Sequence, residues 1–276
     1  MSEVAVITGT THGIGLVTSR ELARAGRTVV MLCRDVAAAE RVRAEITALQ
    51  ARADLHVVSC DLASLASVRA AAQCVRTRFK RIGLLINNAG MVSTRHRLSA
   101  EGFELTFATN HLGPFLLTEL LREHLQPRAR IVNLASRAHY RGRLDLQSIT
   151  AVRGRYSPMA AYANSKLANV MHTLALARRL ADSHITVNCL HPGVVATNLL
   201  PRWLRLLKPL LSPVILDVES GARTSLYLAL SNEVAETSGC YFDEHQRLQR
   251  AAALAYEVPL QEALCDASAR WAGVGA

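Results

Sequence analysis

Lysine is almost missing from this chain: among 32 basic residues only Lys80, Lys166 and Lys208 are lysines. Aromatic residues are also scarce, at 5%. The net charge of +10 is therefore carried by arginine, with no stacking-aromatic pattern and no recognition motif beside it, so no nucleic-acid partner is implied. The arginines read as solvated helix faces plus a field that favours anionic ligands. No apolar run approaches the ~20 residues that span a bilayer, which excludes a transmembrane helix. Nor does a basic segment with a cleavage site precede Val4-Ala5-Val6-Ile7, and the expectation is a cytoplasmic protein. Six cysteines (Cys33, Cys60, Cys74, Cys189, Cys240, Cys265) are scattered without Cys-x-x-Cys or a histidine at ligand spacing. This pattern argues against a zinc site or a disulfide framework, so no metal is expected and the cysteines read as buried free thiols.

What is present is apolar, at 50% of 276 residues, enough for one core. Strand-like apolar runs fall at 4–8, 28–33, 55–59, 84–87, 130–134 and 186–190, with a shorter one at 239–242. Segments of helical period separate them, including 157–181 and 219–230. Continuous apolar strands alternating with helices predict an α/β fold, a Rossmann-type doubly wound parallel sheet of about seven strands flanked by helices. No linker, repeat or composition break divides the chain, and residues 1–276 read as a single domain.

The first strand runs into Thr8-Gly9-Thr10-Thr11-His12-Gly13-Ile14-Gly15. Small residues in a strand-to-helix turn let the backbone approach a pyrophosphate, and the helix N-terminus offers unpaired N–H groups. A tight turn needs glycine for steric reasons alone, so the pattern gains weight from its place after the first strand. The second strand ends Leu32-Cys33-Arg34-Asp35. An acid at this point accepts from a ribose 2'-hydroxyl, whereas an arginine accommodates a 2'-phosphate. Arg34, with His12 as a second donor, predicts NADP(H) over NAD(H), and Asp35 reads as a helix N-cap.

Tyr162-Ala163-Asn164-Ser165-Lys166 lies in a helical segment, where side chains at i and i+4 share a face. A cation beside a phenol of pKa ~10 lowers it by about 1 to 3 units, so Tyr162 becomes usable as acid or base. Taken alone, such a pair is a surface lysine beside a half-buried tyrosine.

The spacing of the glycine-rich turn resembles the short-chain dehydrogenase/reductase family, and the resemblance continues in order down the chain. Asp61-Leu62 matches the segment that contacts adenine. Asn87-Asn88-Ala89-Gly90 closes the fourth strand, while Asn110, Ser136, Tyr162 and Lys166 match the catalytic set. Pro192-Gly193-Val194-Val195-Ala196-Thr197 matches the segment that holds the nicotinamide carboxamide and phosphates. The resemblance implies an NADP(H)-dependent oxidoreductase acting on CH–OH and C=O groups. Its cofactor contacts would be Gly9, Thr11, His12, Gly13, Ile14, Gly15, Arg34, Asp61, Leu62, Asn88, Ala89, Gly90, Tyr162, Lys166, Pro192, Gly193, Val195 and Thr197. Ser136 would bond the substrate oxygen, and Asn110 would hold a water that connects Lys166 to solvent. The interval between Ser136 and Tyr162 is longer than the family's shortest form, and the extra residues, including Arg141, Arg143, Arg153 and Arg155, are expected to form a loop beside the site.

Residues 198–218 are rich in leucine, with Trp203 and basic punctuation, and match the family's mobile lid, which points to a lipophilic carbonyl or alcohol substrate. The same pattern is compatible with peripheral membrane contact. Asn110-His111-Leu112-Gly113, Ser220-Gly221-Ala222 and Ser238-Gly239-Cys240-Tyr241-Phe242 resemble the retinol dehydrogenase-like subgroup. Many members of that subgroup begin with a hydrophobic anchor, which leaves retinoid as one of several candidate substrates. Homodimers or homotetramers built on helices near 102–121 and 157–181 are implied by the same resemblance. A same-fold dehydratase or epimerase and a non-catalytic NADP-sensing protein are the alternatives.

Overall fold

A computed structural model describes residues 3–149, 155–195 and 216–275. Strands β1 (Val4–Thr8), β2 (Thr28–Cys33), β3 (Asp54–Ser59), β4 (Ile82–Asn87), β5 (Leu125–Leu134), β6 (Thr186–Leu190), β7 (Cys240–Phe242) and β8 (Leu248–Gln249) form one sheet in the order β3-β2-β1-β4-β5-β6-β7-β8. All pairings are parallel except β7 with β8. The expected doubly wound sheet is thus present, with β8 as an additional two-residue edge strand. Its short, charge-flanked sequence gave no strand signal of its own.

Every residue of β2, β4 and β6 is buried, which is why these runs are continuously apolar rather than alternating. Alternate side chains enter two separate cores. Val30, Leu32 and Val58 pack on one side under α3 (Leu65–Arg78), α5 (Gly113–Leu121), α6 (Pro158–Arg179) and α8 (Val258–Ala272). Val29, Met31 and Cys33 pack on the other under α1 (Gly13–Arg24), α2 (Val36–Leu49) and α7 (Val218–Leu230). A single helical turn, α4 (Leu105–Phe107), precedes α5 and is joined to it by a π-helical turn, Ala108–Leu112.

The sheet order reverses between β1 and β4, the place where an open α/β sheet opens a crevice at its carboxyl edge. A buried polar ladder ties the helices to the sheet there. Asn87 and Asn133 face each other in register, and Asn87 Nδ2 donates to Asn133 Oδ1 at 2.8 Å and to Thr118 Oγ1 at 3.1 Å. Asn133 Nδ2 donates in turn to Thr173 Oγ1 on α6 at 2.9 Å.

Candidate active site

The turn after β1 is closed by backbone contacts that only glycine permits. Gly9 and Gly13 have φ of +72° and +63°, a region costly for other residues. At Gly15 a Cβ would stand 2.1 Å from the Gly9 carbonyl oxygen and 2.4 Å from Asn88 Nδ2. Asn88 zips this turn to the end of β4: its Nδ2 donates to the carbonyls of Thr8 at 2.8 Å and Gly9 at 3.0 Å. Thr8 Oγ1 accepts the backbone N–H groups of Asn88 and Ala89, each at 3.0 Å. The Asn88 amide is thereby committed to shaping the turn.

Helices α2, α3, α6 and α7 begin with capping side chains from Asp35, Ser64, Ser157 and Asp217. Helix α1 does not: its N-cap, His12, makes no side-chain cap bond and turns instead to Thr11 Oγ1 at 3.0 Å. First-turn N–H groups without side-chain acceptors at the positive end of a helix suit an anion, so the residues fit a dinucleotide pyrophosphate.

At the end of β2, Cys33 is buried and its thiol is pushed up to about 11, first by burial. Cys33 stands where an acid would, and the nearby Asp35 is committed elsewhere, its Oδ1 accepting from the Ala38 N–H at 2.9 Å as the α2 cap. Arg34 is exposed, with no ion pair among the described residues. Asp61 folds back on its own loop, accepting from the Ala63 N–H at 3.0 Å, and Leu62 is buried.

Four side chains expected from sequence converge beyond this cradle. Lys166 is buried on α6; its Nζ donates to the Leu134 carbonyl at 2.7 Å and lies 5.7 Å from the centroid of the Tyr162 ring. A Cβ at Gly90 would lie 3.5 Å from Lys166 Nζ and 3.6 Å from Asn110 Oδ1, so the fourth strand's closing turn meets both. Asn110 is buried on the π-helical turn. Its Oδ1 accepts from Met91 N at 2.8 Å, and its Nδ2 donates to the Met91 carbonyl at 2.9 Å and to Ser165 Oγ at 3.0 Å. Ser165 Oγ donates to the Tyr162 carbonyl at 2.8 Å. The long helix expected near 102–121 contains this wider turn, which occurs where Asn110 reaches back to the Met91 backbone, as π-turns often do at functional sites. Ser136 leaves the end of β5, caps a short 3-10 turn, Arg137–Arg141, and meets the Tyr162 phenol side chain to side chain.

The electrostatics differ from the simple expectation. Burial raises the Tyr162 phenol, and the bond with Ser136 offsets this only in part. Burial also pushes the Lys166 ammonium down to about 8. Desolvation is the leading cause at both groups.

The segment after β6 is held by Gly193, whose φ is +84°, and by an isolated bridge between Val195 and Leu216. Val195 packs on α7, where a Cβ at Gly221 would lie 2.5 Å from Val195 Cγ2. Thr197, Arg153 and the 198–215 part of the expected lid lie outside the described residues. Arg141 and Arg143 are exposed, with Arg141 at the end of the 3-10 turn and Arg155 just before α6. Among the described residues no three histidines, cysteines or acids are placed to hold a metal, and no helix is long and apolar enough to cross a membrane. Cys33, Cys60, Cys189 and Cys265 are buried free thiols, while Cys74 and Cys240 are half-buried.

Two contributors escaped sequence reading. Ser165 lies inside the Tyr-x-x-x-Lys interval, and Asn169, one turn beyond Lys166, shares the Leu134 carbonyl at 3.3 Å. Helical periodicity alone places Asn169 on the face of Tyr162 and Lys166, and that signal could have found it.

The sequence model of the short chain dehydrogenase family matches residues 3–205. Among curated proteins, retinol dehydrogenase 12 from Mus musculus is 40% identical over 250 residues, covering 89% of this chain and 79% of that protein. Among solved structures, an uncharacterized protein from Mycobacterium paratuberculosis has a TM-score of 0.81 at 33% identity, covering 99% of this chain and 94% of that one. A 3-ketoacyl-(acyl-carrier-protein) reductase from Brucella melitensis complexed with NADH has a TM-score of 0.67 at 28% identity, covering 87% of this chain and 96% of that one. The turn, the sheet order and these likenesses agree: the chain belongs to the short chain dehydrogenase family, as a retinol dehydrogenase-like member.

Proposed function

We propose that this protein is an NADP(H)-dependent oxidoreductase that interconverts a carbonyl and an alcohol on a lipophilic substrate. The observation that carries this reading is the meeting of Tyr162 with Ser136 and Lys166 at the carboxyl edge of the sheet. When bound, the nicotinamide supplies or accepts the hydride at the carbon bearing the substrate oxygen. The protein's own residues manage that oxygen. In reduction Tyr162 donates its phenolic proton as negative charge develops, and in oxidation the phenolate takes it back. Burial raises the phenol and so favours the protonated form that the donating role requires. Ser136 donates a hydrogen bond to the same oxygen. Lys166 supplies positive charge that stabilises the phenolate. Asn110 anchors Ser165 and Met91 and so fixes the turn of α6 that carries both.

A nicotinamide cofactor is supported by the family and by the NADH-bound reductase. The preference for NADP(H) is our inference from Arg34, whose guanidinium presents a fork to a phosphate beside the neutral Cys33 thiol. The name of the curated relative supports a lipophilic alcohol or aldehyde, retinoids among them. We read residues 1–276 as one oxidoreductase domain. The test is loss of NADPH absorbance with a panel of lipophilic aldehydes and ketones that includes all-trans-retinal. Stoichiometric turnover is expected; tight NADPH binding with no carbonyl reduced would overturn the reading and leave a sensing protein.

A further inference from the structure

His139, three residues after Ser136, is wholly buried on the turn Arg137–Arg141. Its Nδ1 lies 2.6 Å from the Ser136 carbonyl oxygen, and its Nε2 lies 3.1 Å from the Ala252 backbone nitrogen. A carbonyl can only accept and a backbone N–H can only donate, so Nδ1 carries the proton and Nε2 is bare. Burial lowers the imidazole pKa and keeps that neutral form. The Ser136 carbonyl also accepts the His139 backbone N–H at 3.0 Å, so one residue grips the serine twice.

The far side of the imidazole belongs to the strap of residues 250–256 between β8 and α8. Tyr140 donates its hydroxyl to the Arg250 carbonyl at 2.6 Å, and the Tyr256 hydroxyl accepts the Ala251 N–H at 3.1 Å. The His139 ring packs against Tyr140 at 4.1 Å and against Tyr241 of β7 at 4.8 Å between centroids. Ser136 Oγ accepts from the Ala138 N–H at 3.2 Å and meets the Tyr162 phenol, two contacts that leave the placement of its own backbone to be set from elsewhere. Its hydroxyl direction therefore depends on how its backbone is held, and a misplacement of ~1 Å at a reacting group can cost about 100-fold in rate.

We propose that His139 is a positioning residue: its Nδ1–H bond to the Ser136 carbonyl fixes the backbone from which Ser136 reaches the substrate oxygen, and its Nε2 couples that backbone to the 250–256 strap. The inference rests on the role given to Ser136 above.

Two variants separate the two ring nitrogens. In His139→Asn the amide nitrogen stands near Nδ1 and still donates to the Ser136 carbonyl. In His139→Gln the longer amide reaches toward Ala252 and accepts its N–H, leaving the Ser136 carbonyl without its side-chain donor. With NADPH and all-trans-retinal, His139→Gln lowers kcat about 10-fold with KM changed less than about twofold, whereas His139→Asn keeps kcat within about threefold even where its melting temperature falls. In a Ser136→Ala background, His139→Gln adds no further loss of kcat, because both act through one hydroxyl. Activities that follow melting temperature across the two variants, or an undiminished His139→Gln effect in the Ser136→Ala background, would overturn the proposal. A large loss with Ser136→Ala and none with His139→Gln would overturn it alone; normal turnover by Ser136→Ala would overturn the role of Ser136 and the proposal together.

Discussion

At the carboxyl ends of β1 and β4 the crevice is shaped mainly by backbone, whereas beside β5 it is shaped by side chains. The first half is a run of glycines and first-turn N–H groups, closed by Asn88 and Thr8. The second half is joined by bonds between residues far apart in the chain, such as Asn110 with Ser165 and His139 with Ala252. A backbone cradle tolerates almost any neighbour but no added atom. A side-chain site tolerates added atoms better than lost partners.

The sharpest break between the halves is expected from Tyr162→Phe. Removing the proton donor lowers kcat about 1000-fold, within the range for a general acid, while NADPH affinity measured by fluorescence titration changes little. Coupled loss of affinity would mean that the two halves are not separable.

Gly15→Ala tests the cradle. The added methyl meets the Gly9 carbonyl at 2.1 Å, and overpacking of this kind costs about 1–3 kcal/mol, so denaturant unfolding should show a lowered midpoint together with weakened NADPH binding. Unchanged stability and binding would show that the turn yields more than its geometry suggests.

Arg34→Ala should leave NADH turnover intact and lower kcat/KM for NADPH by about 10- to 100-fold, the worth of one charge-assisted phosphate contact. An unchanged ratio of the two cofactors would remove Arg34 from the specificity argument.

The smallest expected effect sharpens the side-chain half. Lys166 is pushed down to about 8, so its ammonium is present below that pH and lost above it, and carbonyl reduction should decline as pH rises through about 8. Lys166→Arg keeps its cation and moves that limb upward, at a reduced rate overall. Stability moves oppositely. The folded pKa lies below the unfolded value of ~10.4, so the cost of burying the ammonium is present below pH ~8 and relieved between ~8 and ~10.4, a trend that Lys166→Met should lack. A pH-independent kcat across this range would break the link.

The same division explains what was legible in the sequence. The bounds of β1, β2 and β6 follow from continuous apolar runs, and the glycine-rich turn is written in consecutive residues. Tyr162 and Lys166 were visible because one helical turn joins them. The π-turn at Asn110 was not, since it arises where a distant backbone, at Met91, captures the amide. Nor was the elevated phenol of Tyr162, because desolvation is set by the whole fold and has no local signature. The eighth strand owes its existence to the partner edge at β7 rather than to its own two residues.

The facing amides of Asn87 and Asn133 carry a consequence for how this sheet assembles. Parallel strands joined by long crossovers find their partners slowly, and in a strand such as β4, buried on both faces, a slip of one step only exchanges apolar side chains for apolar ones. Sliding β4 past β5 by one residue would turn Asn87 to the opposite face, away from Asn133 and Thr118, and leave Asn133 Oδ1 without its donor in an apolar interior. The pair therefore acts as a proofreading mark, admitting to the centre of the molecule only the alignment in which its carboxyl edges meet.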